Sequence, residues 1–197
     1  ATLDGGLHGA HIVYVTHSIP DTMQDASAAT GAGYREQHED VRATINAALA
    51  AELGTSIDSS LAYCSRSGDP RTPWLEPDVN DHIEELAQQG VRKIVIAPIG
   101  FISDHMEVAF DLDVEAMETS AEHGVQAARA DTVGVRPNFV AGLVDMVLER
   151  AARERGEDAT PTTVGSLPAF PDIAPPGSCR MRHGEVTGIP VLAGSHD

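Results

Sequence analysis

Two nearly continuous apolar runs, residues 11–16 and 93–99, are short, rich in β-branched side chains and bounded by turn residues. Runs of that kind predict strands covered on both faces, because a half-exposed strand would alternate with polar residues. The first stops at His17-Ser18-Ile19-Pro20, where proline lacks the N–H a sheet ladder needs, so His17 falls at a strand's carboxyl end. Residues 60–65 and 125–130 predict two further strands, the first closed by Arg66-Ser67-Gly68-Asp69-Pro70. Between the strands the period changes to that of a helix. Over residues 34–53, Val41, Ile45, Ala48 and Leu49 recur at helical spacing and Gly54 supplies a stop. Residues 78–89 end at Gly90, an acidic helix runs from Gly100 to about His123, and residues 137–155 place Phe139, Leu143, Val147 and Leu148 on one side.

Strands alternating with helices predict an α/β fold: a parallel sheet of roughly four strands with helices on both faces. A chain of 197 residues suits one domain, here residues 1–156. Beyond Gly156 the composition shifts to Pro, Gly, Thr and Ser without a period, which predicts a loosely ordered tail over residues 157–197. Ligands of parallel sheets gather at the carboxyl ends of the strands, and both His17 and residues 100–107 fall at that edge.

Charge narrows the partners. The formal charge is −17 and Lys93 is the sole lysine, so the basic stripe that nucleic-acid backbones require is missing. No run of about 18 apolar residues offers a membrane span. Cys64 and Cys179 are too far apart in sequence for a local metal knuckle and too few for a disulfide framework, so a reducing, cytoplasmic setting is expected. Residues 1–10 carry no export pattern, and the missing initiator methionine suits a piece of a longer protein and a mature one equally.

The chemistry concentrates in residues 100–116. Glu107, Asp111 and Glu115 are four apart, a spacing that lines them along one helix face, with Asp104 and His105 at the mouth and Asp113 and Glu118 flanking. Taken alone the row reads as a solvated face, and His17 as a capping or core histidine. Placed together at one sheet edge, an imidazole facing carboxylates suits divalent iron, zinc or cobalt with coordination positions left open. Ser65, Arg66 and Trp74 are candidate substrate contacts in the second strand's end and the loop after it, with a plain turn and core packing as their alternatives. Cys64 lies inside an apolar strand and reads as a buried small residue rather than a nucleophile.

Four segments in this order, Thr16-His17-Ser18-Ile19-Pro20, Tyr63-Cys64-Ser65-Arg66-Ser67-Gly68, Pro73-Trp74-Leu75-Glu76-Pro77 and Pro98 through Val108, resemble ferrochelatases over roughly residues 8–153. The likeness is nearest to actinobacterial forms that act on coproporphyrin III. The resemblance implies insertion of ferrous iron into that porphyrin, giving coproheme for heme biosynthesis. It implies that His17 binds the metal or takes a pyrrole proton, that Glu107 faces it across the macrocycle, and that Asp111 and Glu115 relay metal or protons along a helix with a wide, π-type turn. The family has two similar lobes, and this chain resembles the second, so an N-terminal lobe is an expected partner. No cofactor beyond the substrate Fe2+ is expected: the iron–sulfur cluster of some relatives uses three cysteines near the carboxyl terminus, and here only Cys179 lies in the tail. Two alternatives go with this resemblance, a sirohydrochlorin cobalt or iron chelatase with His105 as second histidine, and a single-lobe metal- or heme-binding module without activity.

Overall fold

The computed structural model describes residues 3–28 and 31–171. The elements, in order, are β1 (His11–His17), α1 (Asp21–Ser27), α2 (Tyr34–Leu53), β2 (Ser59–Cys64), α3 (Val79–Gln88) and β3 (Lys93–Pro98). A π-helix (Val108–Glu115), α4 (Ala116–Glu122), β4 (Gln126–Arg129) and α5 (Pro137–Glu154) follow. The chain divides into two compact units, Ala1–Pro20 with Val41–Gly134, and Asp21–Asp40 with Val135–Asp197.

The first unit holds the sheet, whose four strands are all parallel in the order β2-β1-β3-β4. In β1 the five residues from Ile12 to Thr16 are all buried, as the unbroken apolar run requires of a strand covered on both sides. Val13 and Val15 face a core shared with Ile83 and Leu86 of α3, Val108 and Leu112 of the π-helix, and Ala116 of α4. Tyr14 points the other way and donates its hydroxyl to Asn46 of α2 at 2.9 Å. Asp78 caps α3 by accepting from the Asn80 N–H at 2.9 Å.

The strand order explains where a site forms. After β1 the chain crosses to β2 on one side, whereas β3 lies on the other side of β1 and leads outward to β4. The loops leaving β1 and β3 therefore part in opposite directions, opening a crevice at their carboxyl ends. His17 ends β1, and Gly100 begins the segment that follows β3.

The expected acidic helix of residues 100–123 differs from what is found. Residues 100–105 form a loop, the wide turn occupies eight residues, and regular α-helix resumes only at Ala116. The Ala116 N–H reaches back five residues to the Asp111 carbonyl, which defines the widened winding.

The second unit contains α1, the start of α2 and α5. The sequence pattern did not single out α1, since its seven residues carry no apolar period. No residue of α5 is buried, and Leu143, Val147 and Leu148, expected on a packed side, are exposed. Residues 158–171 hold neither helix nor strand, and the rest of the expected tail, with Cys179, lies outside the described residues.

Candidate functional site

The end of β1 is pinned on both sides. The Ser18 N–H donates to the Cys64 carbonyl at 2.8 Å, and the Ser18 hydroxyl donates to the Leu75 carbonyl at 2.8 Å. The Leu75 N–H returns a bond to the Ile19 carbonyl at 3.0 Å, and Pro20 and Trp74 form an antiparallel bridge. His17 thus projects from a fixed backbone. Its Nδ1 lies 2.5 Å from the Ser18 carbonyl oxygen, which can only accept, so Nδ1 donates there and Nε2 is the nitrogen left facing away from the backbone. That Nε2 faces Glu107 Oε2 at 3.7 Å. His105 Nδ1 is 3.9 Å from the same oxygen, and its ring meets Phe101 edge-on at a centroid distance of 5.4 Å. A separation of 3.7 Å is too long for a hydrogen bond, yet a divalent ion about 2.1 Å from each atom fits between them. Among the described residues, no group of three or more His, Cys, Asp or Glu side chains is arranged to hold a metal ion.

The other acidic residues divide into two sets. Asp113 and Asp104 are both taken by Arg129 at the end of β4, whose guanidinium donates to Asp113 at 2.9 Å and to Asp104 at 3.3 Å. Asp111 instead accepts from the Ser65 hydroxyl, and Asp111 and Glu115 line a cavity of about 150 Å³ together with Asp78. Burial pushes the Asp78 carboxyl above its ordinary range, with repulsion from Asp81 and Asp111 adding to this and the Asn80 bonds opposing it. Sequence reasoning counted Asp78 only as a helix start. Its place directly after Pro73-Trp74-Leu75-Glu76-Pro77 was the signal that it reaches the same edge.

Beside the acidic residues runs a second row. Met106, Phe110 and Val114, also four apart, are exposed at 78%, 51% and 40%. They form an exposed apolar row that begins just before the π-helix and continues along it. Among the expected substrate contacts, Ser65 is engaged by Asp111, and Arg66 donates to the Pro70 carbonyl at 3.0 Å and the Thr72 carbonyl at 3.3 Å, closing its own loop. Trp74 is half-buried, and its Nε1 finds no acceptor among the described residues. A separate cavity of about 680 Å³ lies at the opposite, amino-terminal edge of the sheet, lined by His11, Asp58 and Arg92.

The family model described as Ferrochelatase matches residues 3–151. The chain belongs to the ferrochelatase family. A coproporphyrin III ferrochelatase from Streptomyces coelicolor is 46% identical over 179 residues, covering 88% of this chain and 48% of that protein. Proteins of the same name from Streptomyces griseus and Propionibacterium freudenreichii are 47% and 43% identical, covering 88% and 94% of this chain and 48% and 50% of theirs. The chain spans about half the length of the curated relatives it matches. A solved structure titled as a putative cobalamin biosynthesis CbiX protein from Marinobacter aquaeolei aligns at TM-score 0.45 and 19% identity, over 73% of this chain and 98% of that one, too distant to bear on function.

Two further features complete the picture of this ferrochelatase-family chain. Burial pushes the Cys64 thiol up to about 12, so the thiol stays protonated and the residue serves packing. Among the described residues no helix is long and apolar enough to cross a membrane.

Proposed function

We propose that this chain is the metal-site lobe of a porphyrin ferrochelatase, and that the whole protein inserts ferrous iron into coproporphyrin III to form coproheme, a lyase reaction of heme biosynthesis. The observation that carries the reading is His17 Nε2 opposite Glu107 Oε2 at 3.7 Å, at the crevice edge of a chain of this family. The names of these relatives support the choice of porphyrin.

The balance of the reaction sets what the residues must do: Fe2+ enters, the macrocycle becomes a dianion, and two pyrrole protons leave. A neutral imidazole nitrogen and a carboxylate oxygen are suitable donors for ferrous iron, and two donors hold it loosely enough to pass on. The Glu107 carboxylate, exposed and beside two imidazoles, can accept a pyrrole proton. Asp111 and Glu115 extend the acidic path away from the pair, and Met106, Phe110 and Val114 offer the apolar stripe for the ring. The proposal includes a cytoplasmic setting, an N-terminal lobe as the other wall of the cleft, and no resident cofactor.

The test is iron insertion by the full-length protein, followed by the porphyrin's visible absorbance. His17→Ala and Glu107→Gln are each expected to lower turnover by roughly a hundredfold or more, the scale of general acid–base catalysis. Undiminished insertion by both variants overturns the assignment, and preferential turnover of sirohydrochlorin run alongside overturns the choice of macrocycle.

A further inference from the structure

Ser65 is the residue after β2, and among the described residues it is the non-glycine position with positive φ, at 62°. An L-residue adopts that left-handed conformation only where its surroundings hold it there, and such positions cluster at functional sites. The surroundings are visible. Cys64, next in line, gives its carbonyl to the Ser18 N–H at 2.8 Å, and the Tyr63 N–H donates to the Pro77 carbonyl at 2.9 Å. The strand end is therefore tied both to β1 and to the loop before α3, and the left-handed residue turns its side chain towards the π-helix.

The Ser65 hydroxyl donates to Asp111 Oδ2, since an ionised carboxylate can only accept. Cys64 Sγ lies 3.4 Å from the same hydroxyl, and its thiol remains protonated, so no negative sulfur competes for the hydroxyl proton. Asp111 sits in the middle of the widened helix, half-buried, with Glu115 and Asp78 on the same small cavity. Carboxylates around one cavity repel one another, as Asp78 and Asp111 do, which favours a swing of Asp111 out of the row. The serine bond opposes that swing.

Resting on the chelatase reading above, we infer that Ser65 is a positioning residue for iron capture: its hydroxyl, fixed by a left-handed backbone at the end of β2, holds the Asp111 carboxylate in the acidic row. It does not touch the reacting atoms. Loss of the hydroxyl weakens the capture of ferrous iron and leaves the chemical step and porphyrin binding in place.

The variant that separates this from a structural role is Ser65→Gly, because glycine accepts the positive φ while the hydroxymethyl group that reaches Asp111 is lost. In the full-length protein it is expected to raise KM for ferrous iron about tenfold, the equivalent of one charge-assisted hydrogen bond, with kcat and the porphyrin KM changed by less than about twofold. Asp111→Ala, which removes the acceptor, is expected to raise the iron KM at least as much, and Ser65→Gly added to it to change little more, since the hydroxyl then has no carboxylate to hold. An unchanged iron KM in Ser65→Gly overturns the inference, as do fully multiplicative effects in the double variant. A rise confined to the porphyrin KM overturns it in favour of direct substrate contact. Wild-type protein without insertion activity overturns the chelatase reading instead, and a urea-unfolding cycle on Ser65→Gly and Asp111→Ala then decides the contact by itself, additive effects being the result that refutes it.

Discussion

Replacing Gly100 by alanine strains the joint on which the candidate site depends. Gly100 follows β3 and lies against Thr16, the residue before His17, with its N–H bonded to the Val15 carbonyl at 3.3 Å. A methyl group at Gly100 overlaps Thr16 Oγ1 and comes within 2.5 Å of Thr16 Cβ and 2.9 Å of its Cα. The hydroxyl could rotate away. The Cβ and Cα cannot, because Thr16 is fully buried in the central strand. Ordinary contact begins near 3.4 Å, so β1 and the chain after β3 must separate by several tenths of an ångström.

Overpacking of that kind costs about 3 kcal/mol, the upper part of the usual range, because backbone rather than a flexible side chain must yield. For a chain of this size that is a fall of roughly 9 °C in Tm, read by circular dichroism on heating. Gly142→Ala is the control: its site in α5 is open, no contact lies within 4 Å, and the same substitution is expected to stabilise by about 1 kcal/mol through helix propensity. In the full-length protein Gly100→Ala is also expected to lower iron insertion about tenfold or more, since the separation moves His17 and Glu107 apart. A Gly100→Ala protein melting within a degree of wild type refutes the reasoning, because the close approach would then not set the geometry.

Arg129→Ala frees Asp104 and Asp113 at once and is expected to destabilise the chain by about 2 kcal/mol, measured as a lower urea midpoint; an unchanged midpoint shows the two bonds to be dispensable. Burial, reinforced by His82 and Arg42 and opposed by Asp58, holds His11 below its ordinary pKa, so the unfolded chain takes up this proton first as the pH falls. Stability contributed by neutral His11 is therefore complete above about pH 6.5 and is lost progressively below it, and His11→Gln should flatten the urea midpoint between pH 7 and 5. Cys64 should resist a thiol reagent at pH 8 until denaturant is added, so native protein gives at most one reactive thiol of two.

The strands and the long helices were legible because each is coded locally. Continuous apolar runs gave β1 and β3 within a residue, and the period over residues 34–53 gave α2 with its observed bounds. The π-helix could not be read from its own residues. A four-residue spacing keeps Val108, Leu112 and Ala116 on the core under either winding, so the pattern does not distinguish them, and the expectation of a wide turn came only through the family resemblance. Arg129 was also hidden: its partners stand 16 and 25 residues away, and only the register of β4 against β3 brings it to them. Apolar periodicity overstated packing in α5, because an amphipathic stripe states what a helix can cover and not what covers it.

Two positions are closely constrained by their surroundings, and both border the crevice between β1 and β3 or the strand next to it. Ser65 takes a conformation that suits glycine, and Gly100 occupies a place where any side chain collides. In a chain built only for stability Ser65 would give way to glycine or a regular turn. Both lie at that edge, Gly100 against Thr16 beside His17 and Ser65 donating to Asp111. The left-handed backbone at Ser65 is strain kept at that edge, which is why Ser65→Gly is expected to yield a protein at least as stable and poorer at capturing iron.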